Sequence, residues 1–448
     1  MLTEVHTQLT ESLVWIKGHH QVQTGFQLPD WSRRGFFDRT NFNGTYYFSD
    51  LDTYRAGRPY SFIQQQGHGD ITFLEKQVGT YMKDDWQVRP GFSASFGVRY
   101  DWQNYFHDTN NFAPRGSIAY APGNKKTNVI RAGLGLFNDR SGAGAIADLL
   151  HFQPGGLIRY VITNPSYPDP FQSGAGAVSH PSSPPSIVQL APDVQIPQTV
   201  QYSIGIDHQL RKTLTLSVTY TGARGYHLFR SRDINAPPPP LFLSRPNPSY
   251  SAVREIESDG RQSTRSLQVT LRGKIGRWFN GQTQYTWSRA YNDTNGLNSY
   301  AANDYDLSEE WARADFDRPH RFLLLGSVSP GHFVAVGVGL TLTSAGPYTE
   351  TLGADVYNNG RGRARPIGVA RNSLEAAGSA QLDLRLSREL KAGGGKDGRT
   401  ITLALDGFNV LNRVNYGTFV GTLGSPLFGQ PVSARAPRQL QLSVRVKF

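Results

Sequence analysis

Stretches with apolar residues at every second position recur along this chain, and the connections between them alternate between short and long. That alternation constrains the fold more than any other feature. The last stretch shows the period plainly. From Gln439 onward the even positions Leu440, Leu442, Val444, Val446 and Phe448 are apolar, and the odd positions Gln441, Ser443, Arg445 and Lys447 are polar or charged. A period of two places alternate side chains on opposite faces of a β-strand.

Seven hairpins precede that strand. Leu13–Ile16 turns through Gly18-His19-His20 into Val22–Leu28, and Val78–Val88 turns through Arg89-Pro90-Gly91 into Phe92–Trp102. Arg115–Tyr120 turns through Pro122-Gly123-Asn124 into Ile130–Leu136, and Val200–Ile206 turns at Arg211-Lys212 into Leu214–Tyr220. Leu267–Leu271 leads through Gly273–Trp278 to Thr283–Trp287, Phe322–Val328 through Pro330-Gly331 to Val334–Leu342, and Leu382–Leu386 across Gly393–Gly395 to Ile401–Leu405. With the terminal strand the count is fifteen.

Between the hairpins lie the long connections 29–70, 138–197, 223–263, 289–318, 344–378 and 412–437, with 103–111 of intermediate length. Asn43–Phe48, within the first, reads as loop. Compact soluble domains seldom carry loops of this length. Short turns on one side and long loops on the other are the pattern of an all-β, antiparallel transmembrane barrel of the bacterial outer membrane. Tryptophans sit where interfacial girdles belong: Trp86 near a short turn, Trp278 within one, and Trp102 and Trp287 beside long loops.

Bulk composition is compatible with this reading. Mean hydropathy is −0.44, yet barrel strands alternate lipid-facing and lumen-facing residues and give little hydropathy signal. No apolar run is long enough for a membrane helix. The chain has no cysteine, which excludes disulfides, thiol nucleophiles and thiolate metal sites. The net charge of +11 suits a basic lumen and loops beside anionic lipid headgroups better than a nucleic-acid partner. The expected location is therefore a Gram-negative outer membrane, with lipid and lipopolysaccharide as neighbours.

Parity then assigns faces. Leu440, Leu442, Val444, Val446 and Phe448 are expected to face lipid, while Arg99, Asp207, Arg272, Asp383, Arg385, Asp406, Arg445 and Lys447 share the polar parity of their strands and are expected to line the lumen. Mutual charge pairing is their simplest role. No catalytic residues, cofactor or metal are expected, because hydrolase, zinc-protease, phosphate-loop and dinucleotide motifs are lacking. His19-His20 has no third ligand nearby in sequence and reads as a solvent-facing turn. Asp84 and Asp85 read as hydrogen-bonding rim residues, and His320 as structural.

Six motifs in order carry a family resemblance. Tyr81–Trp86 with Phe92–Asp101 resembles a hairpin of TonB-dependent receptors, and Asn111–Arg115 resembles their "NFAPR" segment. Tyr220–Gly225 with His227-Leu228, Asp315–Phe322, Arg371-Asn372-Ser373 and Phe408–Asn412 resemble stretches of the Oar-like branch of that family. The resemblance implies a barrel of about 22 strands, an N-terminal plug, and ligand uptake driven through TonB. It also implies that the closing strand is read by the barrel-assembly machinery. Asp355–Gly360 resembles a family stretch suggestive of a calcium loop, but its single carboxylate argues against metal.

Met1–His6 lacks the features of a signal peptide. An odd strand count would also start the chain on the long-loop side, whereas bacterial barrels are even-stranded. The expectation is that residues 1–448 form the C-terminal part of one barrel, about fifteen of 22 strands, without plug, TonB box or signal peptide. TonB would then act only through a region outside this sequence, on an unknown extracellular ligand. A surface protein for adhesion or export on the same barrel is the alternative, and a soluble basic binding module the third.

Overall fold

The computed structural model describes residues 3–123, 127–139, 143–153, 155–171, 184–276, 279–329, 334–392 and 399–447. Phe448 and Trp278 lie outside the described residues, as do the Pro330-Gly331 and Gly393–Gly395 turns.

Fifteen long strands follow one another as an antiparallel meander: β1 (Thr3–Lys17), β2 (His20–Phe37), β3 (Asp70–Arg89), β4 (Phe92–Gln103), β5 (Phe112–Tyr120), β6 (Asn128–Asn138), β7 (Gln198–Arg211), β8 (Leu214–Asp233), β9 (Val253–Ile275), β10 (Phe279–Asn292), β11 (His320–Val328), β12 (Ala335–Thr343), β13 (Ser379–Ala392), β14 (Arg399–Phe408) and β15 (Gln439–Lys447). Each pairs with its neighbours in sequence, from β1–β2 to β14–β15. Among the described residues β1 and β15 are not paired with each other, so each presents an edge. The architecture is the all-β outer-membrane barrel type read from the period of two, with the expected number of strands.

Several strands run well past the apolar segments that announce them. β3 and β8 span 20 residues and β9 spans 23, where about ten cross a bilayer. The sequence reading ended β8 near Tyr220, but its ladder with β9 continues to Asp233↔Arg254. Beyond the membrane no continuous lipid-facing side is needed, so backbone pairing persists while the apolar alternation stops. Cross-strand ion pairs line this extension: Arg230 Nε to Glu257 at 3.0 Å and Arg232 Nη2 to Glu257 at 2.5 Å.

The first long connection also has structure of its own. Thr45–Tyr47, Ser61–Gly67 and Leu157–Thr163 make a three-stranded sheet, and a short helix spans Leu51–Arg55. The region read as loop at Asn43–Phe48 thus contains a strand. Its pattern was too short to show a period, and its partner, Ser61–Gly67, is completed as a sheet only by Leu157–Thr163 from another loop.

The buried apolar cluster lies on the loop side, not in the barrel wall. Phe73, Phe106, Ile196 and Ile256 pack with Ala145, Ile146 and Ala147 of the helix Ala143–His151. Apolar side chains of the wall point the other way: Phe96 is 57% exposed, Met82 55%, Ile204 57% and Leu442 77%. A face of this kind in water would invite aggregation, whereas in lipid it is the solvated face.

Candidate functional site

Strand register follows the eight charged residues around the sheet. Arg99 stands opposite Ala113, Arg115 opposite Gly135, Gly135 opposite Gln201, and Asp207 opposite Ser217. Thr215 is opposite Arg272, Arg272 opposite Gln282, Gln282 opposite Leu325 and Leu325 opposite Gly339. Gly339 meets Asp383, Arg385 meets Asp406, Thr402 meets Arg445 and Thr400 meets Lys447. Residues directly opposite in a ladder share a face, so all eight occupy one face and Leu440, Leu442, Val444 and Val446 the other.

Sharing a face does not make them one site. Arg385 and Asp406 are bonded to each other, with Arg385 Nη1 donating at 2.9 and 3.0 Å. Arg99 donates to Asp101 at 2.8 Å and to Gln27 at 2.8 Å, and Asp207 pairs with Arg131. Asp383 accepts from Gln381 at 3.0 Å and from the Asn409 backbone at 2.8 Å. Arg272, Arg445 and Lys447 have no ion pair among the described residues.

Near the short turns, His20 is bonded to Asp84 at 2.7 Å and stacks on Trp86 with centroids 5.3 Å apart. Both lie on the apolar parity, so the pair offsets a carboxylate at the membrane rim. Asp85, on the polar parity, accepts from Ser95 at 2.6 Å and Lys83 at 2.9 Å. His320 is bonded to the Tyr285 hydroxyl at 2.7 Å.

The densest polar cluster is on the loop side, where the sequence marked two motifs but no site. Asp317 is fully buried; it accepts from the Ala290 backbone N–H and from Arg313 Nε, both at 2.9 Å. Arg371 donates to the Asn292 carbonyl at 2.7 Å, and Asn372 donates to Asp315 at 2.6 Å. Arg365 donates to Glu310 at 2.7 Å. The Asn372–Asp315 and Arg365–Glu310 bonds tie the connection 293–319 to the connection 344–378, and Arg371 ties the latter to the end of β10. The motif pair Asp315–Phe322 and Arg371-Asn372-Ser373 is thus a latch between two loops.

Beside the latch is a cavity of about 470 Å³, whose wall includes four arginines, Arg318, Arg363, Arg365 and Arg371, but only two carboxylates, Glu310 and Asp315. Tyr300, Tyr348 and Phe419 contribute aromatic surface. Arg318 is held by the carbonyls of Asp315 and Asp317, to which Nη1 donates at 2.9 and 2.8 Å. A Cβ at Gly346 would fall within its guanidinium, so only glycine permits this placement. Burial holds the pKa of Arg318 below the usual arginine value, helped by repulsion from Arg313 and Arg435. Burial lowers Arg363 likewise, with Arg361 adding repulsion.

In the Asp355 loop the carboxylate faces backbone donors. Asp355 accepts from the backbone N–H groups of Asn359 at 3.0 Å and Gly360 at 2.6 Å. The adjacent Arg361 pairs with Asp304 and lies over the Tyr300 ring at 4.3 Å. Burial pushes the Asp304 carboxyl above its usual range, against the pull of Arg361. Among the described residues no group of three or more His, Asp or Glu side chains could hold a metal ion.

Comparison with known proteins places this geometry. A family model described as outer membrane beta barrel domain matches residues 3–111 and 104–330. The outer membrane transporter YddB from Escherichia coli superposes with a TM-score of 0.66 at 15% identity, covering 99% of this chain and 54% of that one. The ferric enterobactin receptor PfeA from Pseudomonas aeruginosa gives 0.60 at 11% identity, with 99% and 53% covered. The FrpB iron transporter from Neisseria meningitidis gives 0.56 at 10% identity, with 99% and 54% covered. The chain therefore spans about half the length of these structures. At such identities the likeness is one of fold. No curated protein matches the chain in sequence.

Proposed function

We infer the function from this premise: the chain belongs to the outer membrane beta barrel domain family and resides in the Gram-negative outer membrane. Residues 1–448 are read as the C-terminal barrel part of a TonB-dependent transporter of the Oar-like kind, importing a ligand captured on its long loops. Energy would come from TonB through a region outside this sequence. The carrying observation is that 99% of the chain is covered in superposition on outer-membrane transporters and receptors. That such neighbours are transporters and receptors also argues against an enzyme.

In this reading the eight charged residues line the lumen, the even residues of β15 face lipid, and lipopolysaccharide and the barrel-assembly machinery are the membrane partners. Neither a nucleic-acid role nor a soluble binding module fits an outer-membrane barrel. The test is growth-linked uptake by the full-length protein, with and without the TonB complex. Uptake unchanged by loss of that complex would overturn the proposal.

Adhesion or export on the same barrel is the second reading. It is favoured by apolar side chains at loop tips, where Leu241 is 71% and Leu243 73% exposed. Binding to a host or matrix surface that survives loss of the energy complex would support it.

A further inference from the structure

We propose that the cavity between the connections 293–319, 344–378 and 409–438 binds a small polyanion carrying carboxylate or phosphate groups. This names a ligand class for the uptake reading and rests on it for biological purpose, but its binding chemistry stands on the cavity itself.

The first support is charge. Four guanidiniums face two carboxylates across the wall. Arg365 and Arg371 are engaged by Glu310, at 2.7 and 3.7 Å. Arg318 and Arg363 have no ion pair among the described residues, and Arg363 makes only a 3.5 Å bond to the Tyr300 carbonyl. Guanidiniums on a cavity wall without a direct ion pair are ones that a bound anion can engage.

The second support is construction. Gly346 lets the Arg318 guanidinium lie flat against the backbone. Two carbonyls hold one of its terminal nitrogens, which leaves the remaining donors for a forked contact with a carboxylate or phosphate. The volume of about 470 Å³ is far more than an inorganic halide needs and within the range of organic-ligand sites. Tyr300 on one wall, and Tyr348 with Phe419 at 5.6 Å, supply surface for the carbon skeleton.

The test titrates the purified full chain in detergent with citrate and, separately, pyrophosphate, at low and high salt, by calorimetry. We expect saturable binding of at least one, weakened by salt; which one binds tells carboxylate from phosphate. Arg363→Ala and Gly346→Ala should each weaken binding about tenfold or more, and Arg363→Lys should fall between, since charge without the fork is only part of the contact. Arg55→Ala, on the exposed helix Leu51–Arg55, removes the same charge elsewhere and should change nothing. Heat-modifiable mobility confirms that each variant folds. No binding of either anion overturns the site, and so does an equal loss in Arg55→Ala, which would mean general attraction to a cationic protein. Uptake of the labelled anion fails separately: an anion bound but not imported removes transport and leaves the site.

Discussion

Arg385 on β13 donates from Nη1 to both carboxylate oxygens of Asp406, its direct cross-strand neighbour on β14, at 2.9 and 3.0 Å. Arg385 is 51% exposed and Asp406 15%, so the pair sits at a wet surface and not in a core. Exposed pairs of this kind contribute about 0–1 kcal/mol.

Removing the pair should therefore be mild and reversing it worse. Arg385→Ala is expected to cost under about 1 kcal/mol. Arg385→Asp sets two carboxylates opposite each other and should add about 0.2–1 kcal/mol more. Urea unfolding of the folded barrel, followed by tryptophan fluorescence, measures both. A larger loss for Arg385→Ala than for Arg385→Asp would contradict the account.

The face assignment of β15 is open to direct trial. Val444 and Ser443 are neighbours of opposite parity on the strand paired to β14. Val444→Lys places a charge on the proposed lipid face, with a penalty of up to about 2–4 kcal/mol at the midplane, whereas Ser443→Lys places it among polar residues. The yield of heat-modifiable barrel should fall for the first and hold for the second. Equal yields would reject the assignment.

Asp317 should be the most sensitive residue of the loop latch. It has no exposed surface and serves both Arg313 and the Ala290 N–H. Asp317→Ala leaves Arg313 short of a partner in a partly buried place. The expected loss is about 3–5 kcal/mol at most, reduced because Glu375 still reaches Arg313 at 2.7 Å. Limited trypsin digestion should then cut within 312–318, leaving the strands intact.

The Asp355 loop should be indifferent to chelators. Each of its carboxylate oxygens accepts a backbone N–H, and Arg361 occupies the neighbouring carboxylate, Asp304. Thermal melting should be the same with and without EGTA, while Asp355→Ala lowers the midpoint. A chelator-dependent midpoint would show that a cation is held there after all.

The helix Leu51–Arg55 should loosen in acid. Asp50 caps it, accepting from the Thr53 backbone N–H at 2.8 Å, and that bond lowers the Asp50 pKa below its usual value. A depressed folded pKa means the cap's contribution is complete above the unfolded pKa and is lost as pH falls through the folded one. Hydrogen exchange of residues 51–56, corrected for intrinsic rates, should lose protection only at pH below about 3.9. Loss already near neutral pH would argue against the cap.

How much of this was legible in advance depends on how far each signal travels along the chain. The Phe92–Trp102 alternation announces β4, and the Arg89-Pro90-Gly91 turn joins it to β3, because both are local properties of a few consecutive residues. The polar extension of β8 to Asp233 carried no such signal, since no apolar face is required outside the membrane. Asp315 and Arg371 were visible as motif residues, but nothing local says that one lies 3.5 Å from the other.

The sequence by itself determined the strands of the wall, their number, the parity of each and the side on which the long loops lie. Period-two alternation and turn chemistry are enough for that, because each strand need only match its immediate neighbours. Tertiary structure alone decided which loops meet: that Gly346 makes room for Arg318, that Glu310 serves both Arg365 and Arg371, and that arginines from separate connections surround one cavity. Those contacts join residues tens of positions apart, brought together only once the intervening strands have paired and set the loops side by side.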